Sequence, residues 1–274
     1  MTATLLVSCP DRKGLVAALA QLLYAQGANI LDADQHSDVP AGMFFQRIRF
    51  DDTGLDRPNL EAAIAQLAGD LAMSYQLNYA SAIKRIAIYA SKQEHCIYDL
   101  LIRHKAAELP CQIAFVASNH ASTARIAEHF NAPFFLIDPK DEAHQFTLLE
   151  NARVDLIVLA RYMQILSPEF VARYPQRIIN IHHSFLPAFV GANPYKQAHE
   201  KGVKMVGATS HFVTAELDQG PIIEQQTMRC SHADSYEDLV RKGRDLEKRV
   251  LASAVRWQLE DRILVYAGKT VVFS

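Results

Sequence analysis

Two α/β modules in tandem are the fold this sequence predicts, and three observations predict it. Apolar spacing over residues 2–79 switches between the strand and helix periods in the order β, α, β, β, α, β. Beyond residue 84, apolar strands without alternation take turns with amphipathic helices, the pattern of a mostly parallel sheet covered on both faces. Between the two, residues 80–84 form a short polar connection. We therefore read one domain over 1–80 and a second over 84–274, and a chain of 274 residues at 50% hydrophobic content is long enough to give each a core.

In the first module, residues 2–9 read as a strand and Pro10-Asp11-Arg12-Lys13-Gly14 as a turn. Leu15, Ala18, Leu19, Leu22 and Leu23 fall at helical spacing, and Gly27 ends that helix. Residues 29–35 and 43–50 are two strands around Val39-Pro40-Ala41-Gly42. Leu60, Ile64 and Leu67 mark a second helix, and residues 73–79 a fourth strand. A βαββαβ order in about 80 residues is a ferredoxin-like plan.

Arg85-Ile86-Ala87-Ile88-Tyr89-Ala90 opens the second module. Strands are expected over 112–117, 134–137, 154–160 and 177–181, and helices over 95–104, 121–130 and 142–152. Their alternation predicts a doubly wound, mostly parallel sheet. Strands over 204–213 and 221–228, a long amphipathic helix over 234–259 and a closing hairpin over 263–273 complete the chain. The turn after the first of these strands, Ala90-Ser91-Lys92-Gln93-Glu94-His95, contains no glycine. With no G-x-G-x-x-G or Walker pattern anywhere, NAD and ATP sites are not expected.

A net charge of −2 gives no general pull toward nucleic acid or anionic lipid, so neither is expected as a partner. No apolar run approaches the ~20 residues of a membrane span. The start, Met1-Thr2-Ala3-Thr4-Leu5-Leu6-Val7-Ser8, lacks a basic segment followed by a cleavable apolar one, and a cytoplasmic location is expected. Cys9, Cys96, Cys111 and Cys230 are scattered, which suggests small buried residues instead of a disulfide framework or a zinc site. The eleven histidines lack metal-ligand spacing in a suitable context, so no metal is expected.

The chemistry concentrates in two stretches. In Ile179-Asn180-Ile181-His182-His183-Ser184, strand alternation sends Asn180 and His182 to one face, at a strand end where ligands of doubly wound sheets bind. Leu217-Asp218-Gln219-Gly220 adds a carboxylate in a turn. An amide donor, an imidazole and a carboxylate are what acyl chemistry on a carbonyl needs. His183 is either a second acid/base group or a turn residue, with the structural reading preferred. His211 is either a support for Asp218 and the pocket wall or a hydrogen-bonded core residue, and Ser184 is read as a loop cap.

Two resemblances extend this reading. Val7-Ser8-Cys9-Pro10-Asp11-Arg12-Lys13-Gly14-Leu15-Val16, with Gly27-Ala28-Asn29-Ile30, resembles the start of an ACT regulatory domain. That resemblance implies effector binding around Asp11, Arg12, Gly14 and Asn29, an amino acid such as glycine or methionine as effector, and a homo-oligomer. A module that only dimerises or packs on its neighbour fits equally well. Asn180-Ile181-His182-His183-Ser184-Phe185-Leu186-Pro187, Gly207-Ala208-Thr209-Ser210-His211-Phe212-Val213 and Leu217-Asp218-Gln219-Gly220-Pro221-Ile222-Ile223 resemble the formyltransferase family that uses formyltetrahydrofolate. Within it, the chain is similar to the deformylase branch. His182-His183 stands where transferases usually carry His-Pro, and Phe189-Val190-Gly191-Ala192-Asn193-Pro194-Tyr195 and the ACT-like module also fit that branch.

The resemblance implies a doubly wound sheet of formyltransferase type and, as catalytic residues, Asn180, His182 and Asp218. It implies a folate pocket lined by Met163, Gln164, Ile165, Leu166, Val213 and Leu217, where relatives often carry Arg in place of Gln164. No cofactor is implied, since 10-formyltetrahydrofolate is the substrate. The expected reaction is hydrolysis to formate and tetrahydrofolate, supplying formate for purine synthesis and balancing the one-carbon pool. The transferase acting on glycinamide ribonucleotide holds the substrate phosphate on a Gly-rich loop. Ser91-Lys92-Gln93-Glu94-His95 takes that place here and is expected to bring a carboxylate to it. The alternatives are formyl transfer to an amine acceptor, and an amino-acid sensor that binds folate without turnover. The intact trio weighs against the sensor.

Overall fold

The computed structural model describes residues 1–188 and 193–274 of the chain. It divides into two compact units. The first holds β1 (Thr2–Pro10), α1 (Leu15–Ala25), β2 (Asn29–Asp38), β3 (Met43–Asp51), α2 (Arg57–Leu71) and β4 (Ser74–Tyr79). Its antiparallel sheet runs β2-β3-β1-β4, as the βαββαβ order requires. Leu5 and Val7 of β1 pack with Leu19, Leu23, Leu60 and Ile64 of the two helices.

Leu6 points to the other face and is buried too, against Phe45, Leu264 and Phe273. The chain's end thus completes this unit, which takes in Asp261–Tyr266 and Val271–Ser274. The closing hairpin, expected with the second domain, thus divides, and only its turn, Ala267–Thr270, belongs to the second unit. A run of consecutive buried residues in β1 is the physical sign that both faces of that sheet are covered.

The second unit begins with β5 (Lys84–Ala90), α3 (His95–Lys105), β6 (Cys111–Ser118), α4 (Ala124–His129) and β7 (Phe134–Leu136). It continues with α5 (Glu142–Asn151), β8 (Leu156–Ala160), α6 (Pro168–Arg173), β9 (Ile178–His182), α7 (Pro194–Glu200), β10 (Met205–Phe212), β11 (Ile222–Arg229) and α8 (Tyr236–Leu259). The seven-stranded sheet has the order β11-β10-β9-β8-β5-β6-β7. β5 to β9 are parallel, whereas β10 and β11 each run antiparallel to the preceding neighbour. Helices α6 and α7 were not anticipated. Each starts on a proline at its first turn, after Ser167 and Asn193 respectively, a short-helix start that leaves little periodicity to read.

Helix α8 is fixed at its start by a capping box. The Ser235 hydroxyl accepts from the Asp238 N–H at 3.1 Å, and the Asp238 carboxylate accepts from the Ser235 N–H at 3.0 Å. Among the described residues, no helix is long and apolar enough to cross a membrane.

Candidate active site

β9 ends at the carboxyl edge of the sheet and places Asn180 and His182 on one face. Antiparallel β10 sets His211 opposite Asn180 and Thr209 opposite His182. Directly opposed residues share a face, so His211 joins the pair. Asp218 arrives from the turn between β10 and β11. That turn is built tightly: Asp218 adopts φ 56°, and a Cβ on Gly220 would lie 1.7 Å from the Phe212 carbonyl oxygen. The Phe212 N–H donates to the Pro221 carbonyl at 2.9 Å and ties the turn back to β10.

The three expected residues are thereby brought together. His182 Nδ1 lies 3.2 Å from Asp218 Oδ1, and His211 Nε2 lies 3.7 Å from the same oxygen. Asn180 Nδ2 is 3.3 Å from His211 Nε2, while His211 Nδ1 meets the Phe212 carbonyl at 2.9 Å. His182 foremost, and then His211, hold the Asp218 carboxyl well below its ordinary 3.8 by hydrogen bonding, against the upward push of burial. His182 is 6% exposed, and its Nε2 has no hydrogen-bond partner among the described residues. Both readings left open for His211 meet here: it is a buried, hydrogen-bonded residue of the cleft wall, and its Nε2 also lies beside Asp218.

The chain after β9 is pinned from behind. The Thr209 hydroxyl donates to the Ser184 carbonyl at 2.8 Å and accepts from the Leu186 N–H at 3.0 Å. Gln225 Nε2 reaches the Leu186 carbonyl and Thr209 Oγ1, both at 2.9 Å. Ser184 Oγ donates to the Ala188 carbonyl at 2.8 Å, the loop-capping role expected of it. Gly207 allows this approach, since a Cβ there would stand 2.8 Å from Phe185 Cβ. Of the run Phe189–Tyr195, residues 189–192 lie outside the described residues.

A cleft of about 460 Å³ opens over Asn180, His182 and Asp218. Met163, Gln164, Ile165 and Leu166 line it from the loop after β8, and Val213 and Leu217 from the segment after β10. The loop after β8 is held by the Ser91 hydroxyl, which accepts from the Met163 N–H at 3.2 Å and donates to Asn119 Oδ1 at 2.8 Å. Leu159, Tyr162 and Asn193 also line the cleft and were not singled out from sequence. Leu159 reads there as one more core position of β8.

His183 lines the cleft as well. Its ring lies 5.2 Å from that of His182 and 6.0 Å, edge-on, from Tyr195. Burial first, and the Arg161 guanidinium second, push it down from 6.5 to about 3, so it is neutral near neutral pH. Behind it lies a buried cluster that the sequence did not reveal. Glu247 of α8 is 1% exposed and is held by His95 Nε2 at 2.7 Å, Tyr195 Oη at 2.6 Å and Arg161 Nε at 3.3 Å. Burial favours its neutral form, but the His95 hydrogen bond, the Arg161 charge and the Tyr195 hydroxyl outweigh this and keep it ionised.

The carboxylate expected from Ser91-Lys92-Gln93-Glu94-His95 is therefore not Glu94. Glu94 turns outward to Arg125 at 2.7 Å, and the acid at that place is Glu247. His95, Cys96 and Glu247 also bring three metal-ligand atoms within 4.8 Å of one another. The cationic guanidinium of Arg161 on the same carboxylate makes the group an ion-pair cluster unsuited to a cation.

In the first unit, Asp11, Arg12 and Gly14 sit together in the exposed loop between β1 and α1. The Asp11 N–H donates there to the Gly42 carbonyl at 2.8 Å, and Gly14 adopts φ 92°. Asn29 is not with them. The register puts it beside Asp51, which pairs with Thr2 at the opposite end of β1, ~25 Å of strand from the loop. The parallel course of β1 and β2 forces this separation within one chain.

The formyl transferase family profile matches residues 84–255, and the ACT domain profile matches residues 3–69. A curated formyltetrahydrofolate deformylase of Synechocystis sp. is 49% identical over 282 residues, covering 100% of this chain and 99% of its own. The crystal structure of a formyltetrahydrofolate deformylase from Pseudomonas syringae pv. tomato superposes with a TM-score of 0.95 at 45% identity, over 100% of this chain and 94% of that one. A glycinamide ribonucleotide transformylase from Symbiobacterium toebii aligns with a TM-score of 0.67 at 31% identity, over 70% of this chain and 95% of its own. Likeness of this order, carried through both modules and end to end, means that this chain belongs to the formyltetrahydrofolate deformylase family.

Proposed function

We propose that this chain hydrolyses 10-formyltetrahydrofolate to formate and tetrahydrofolate, with Asn180, His182 and Asp218 as its catalytic residues. One observation carries the reading: His182, which lines the cleft, rests its Nδ1 on the Asp218 carboxylate while its buried Nε2 has no hydrogen-bond partner among the described residues. A carboxylate on Nδ1 keeps the proton there, so in the neutral ring Nε2 is the acceptor. A water beside it surrenders a proton to Nε2 as its oxygen bonds to the formyl carbon. Asn180 Nδ2 donates to the formyl oxygen as it becomes an oxyanion, a contribution of ~3–4 kcal/mol where one such donor is removed. Collapse of the tetrahedral adduct breaks the carbon–N10 bond, and N10 takes the proton from His182. Formic acid then loses its own proton to solvent. Asp218, held ionised, steadies the imidazolium between these steps.

In this reading the folate lies along Met163 to Leu166, Val213 and Leu217, with no cofactor and no metal. The formate released feeds purine synthesis and balances the one-carbon pool, in the cytoplasm. The ACT domain takes a small effector, with glycine or methionine as candidates, and pairs with a second copy. Purified protein given 10-formyltetrahydrofolate is expected to release formate stoichiometrically with tetrahydrofolate, with or without amine acceptors. Absence of formate, or formyl groups appearing on an added amine, would overturn the hydrolytic reading.

A further inference from the structure

A second hollow of about 150 Å³ shares Arg161, His183 and Asn193 with the folate-side cleft. It is lined by His95 of α3 and by residues of α7 and α8. Three side chains there have the chemistry of an anion site: the His95 imidazole, the Arg161 guanidinium and the Tyr195 hydroxyl. All three are turned onto one internal carboxylate, Glu247.

The arrangement is built for this carboxylate. Gly243 stands one helical turn before Glu247 on α8, and a Cβ at Gly243 would lie 2.0 Å from Tyr195 Oη. A glycine within a 24-residue helix is an unfavourable choice, by ~1 kcal/mol relative to alanine. Here it leaves the room that lets the Tyr195 hydroxyl reach Glu247. The His95 and Tyr195 donors are thereby satisfied from within the chain and the Arg161 charge is paired, so an incoming phosphate would meet a buried negative charge that it cannot displace. Desolvating a second anion beside the first is costly.

We propose that Glu247 is a resident anion filling the acceptor side of the reacting centre, and that it excludes phosphate-bearing amines so that water is left to take the formyl group. The proposal rests on the hydrolytic reading above and names what enforces it. The transformylase of similar fold is described by a ribonucleotide acceptor, a molecule that carries such a phosphate. Glu247 is in this sense a specificity-determining residue. It acts through His95, Arg161 and Tyr195 and touches no reacting atom.

Removing the carboxylate should turn the internal anion site into an external one. In Glu247→Ala the three donors are released, and inorganic phosphate is expected to raise the melting temperature of the variant by several degrees. The parent chain in the same phosphate series corrects for the general stabilising effect of that salt and is expected to move much less. Equal shifts in the two proteins, or none in the variant, would overturn the proposal. Where Glu247→Ala yields no folded protein, Glu247→Gln, which keeps the shape and loses the charge, is put through the same comparison. A smaller excess shift supports the proposal, and no excess shift ends it. Melting is read without turnover, and formate release by the parent is measured separately, so failure of the resident-anion idea is distinguishable from failure of the hydrolytic reading.

Discussion

At the scale of single residues, Asp218 and His183 both cost the fold stability as pH falls, over different windows. Asp218 has its folded-state value depressed, so the unfolded chain binds its proton first as pH falls. Its contribution to stability is complete above the ordinary 3.8 and is lost as pH drops through and below that value. Asp218→Asn removes this contribution and the partner of His182 Nδ1 together. Its kcat for formate release is expected to fall on the order of 10²–10⁴-fold, the range for loss of effective acid–base catalysis, with KM for the folate little changed. An Asp218→Asn enzyme with full turnover would remove the mechanism while leaving the family membership intact. His183 is also depressed, from 6.5 to about 3, but as a base it is the folded state that resists protonation. The unfolded chain gains that proton below 6.5, so stability falls between 6.5 and about 3 as pH is lowered, with burial foremost, then Arg161 and His182, opposing the charge and Glu247 and Asp218 favouring it. His183→Gln is expected to flatten that limb of a melting-temperature profile. A profile parallel to the parent's would show that His183 is not the group responsible.

At the scale of elements, the site depends on how closely one turn approaches one strand. Gly220 is the residue that permits it, since a Cβ there would collide with the Phe212 carbonyl at 1.7 Å. Gly220→Ala pushes the turn off β10 and carries Asp218 away from His182. A displacement near 1 Å costs ~10² in rate, so turnover is expected to drop by that order while far-ultraviolet circular dichroism stays that of the parent. Turnover at the parental level would show that the turn does not set the Asp218 position. The pairing of Asn180 with His182 was legible in the sequence because a period of two needs only local spacing, whereas Asp218, in a distant turn, joined them through the family resemblance. Glu247 was not legible. A glutamate between Leu246 and Lys248 on an amphipathic helix reads as part of the solvated face, and only the seating of α8 beside α3 and α7 shows that it is buried. The same limit misassigned the acid near the β5 turn to Glu94, which sequence places next to His95 but the fold turns toward Arg125.

At the scale of the whole molecule, what the sequence conceals is mostly register and long-range covering. The βαββαβ order was readable from periodicity, but the separation of Asn29 from Asp11, Arg12 and Gly14 follows from strand direction, which periodicity does not contain. The run Leu5-Leu6-Val7 did carry a trace of the missing cover: consecutive apolar residues on β1 ask for a partner on the face away from the helices, and Leu264 and Phe273 provide it. The opposite condition holds at β2. It is the outer strand of its sheet, it is half-exposed along its length, and Leu31 is 47% exposed upon it. An outer strand with free N–H and C=O groups and an apolar residue in the open is suited to pairing with another chain. Pairing of two copies of this unit would also let the β1–α1 loop of one chain meet Asn29 of another, which a single chain cannot do. We therefore expect a homo-oligomer, with a mass by light scattering at working concentration that is a multiple of the chain mass. Leu31→Lys, which places a charge on that strand, is expected to shift the population toward monomer. A parent protein that is already monomeric would exclude the assembly, and a Leu31→Lys protein that keeps the parental mass would move the interface away from β2.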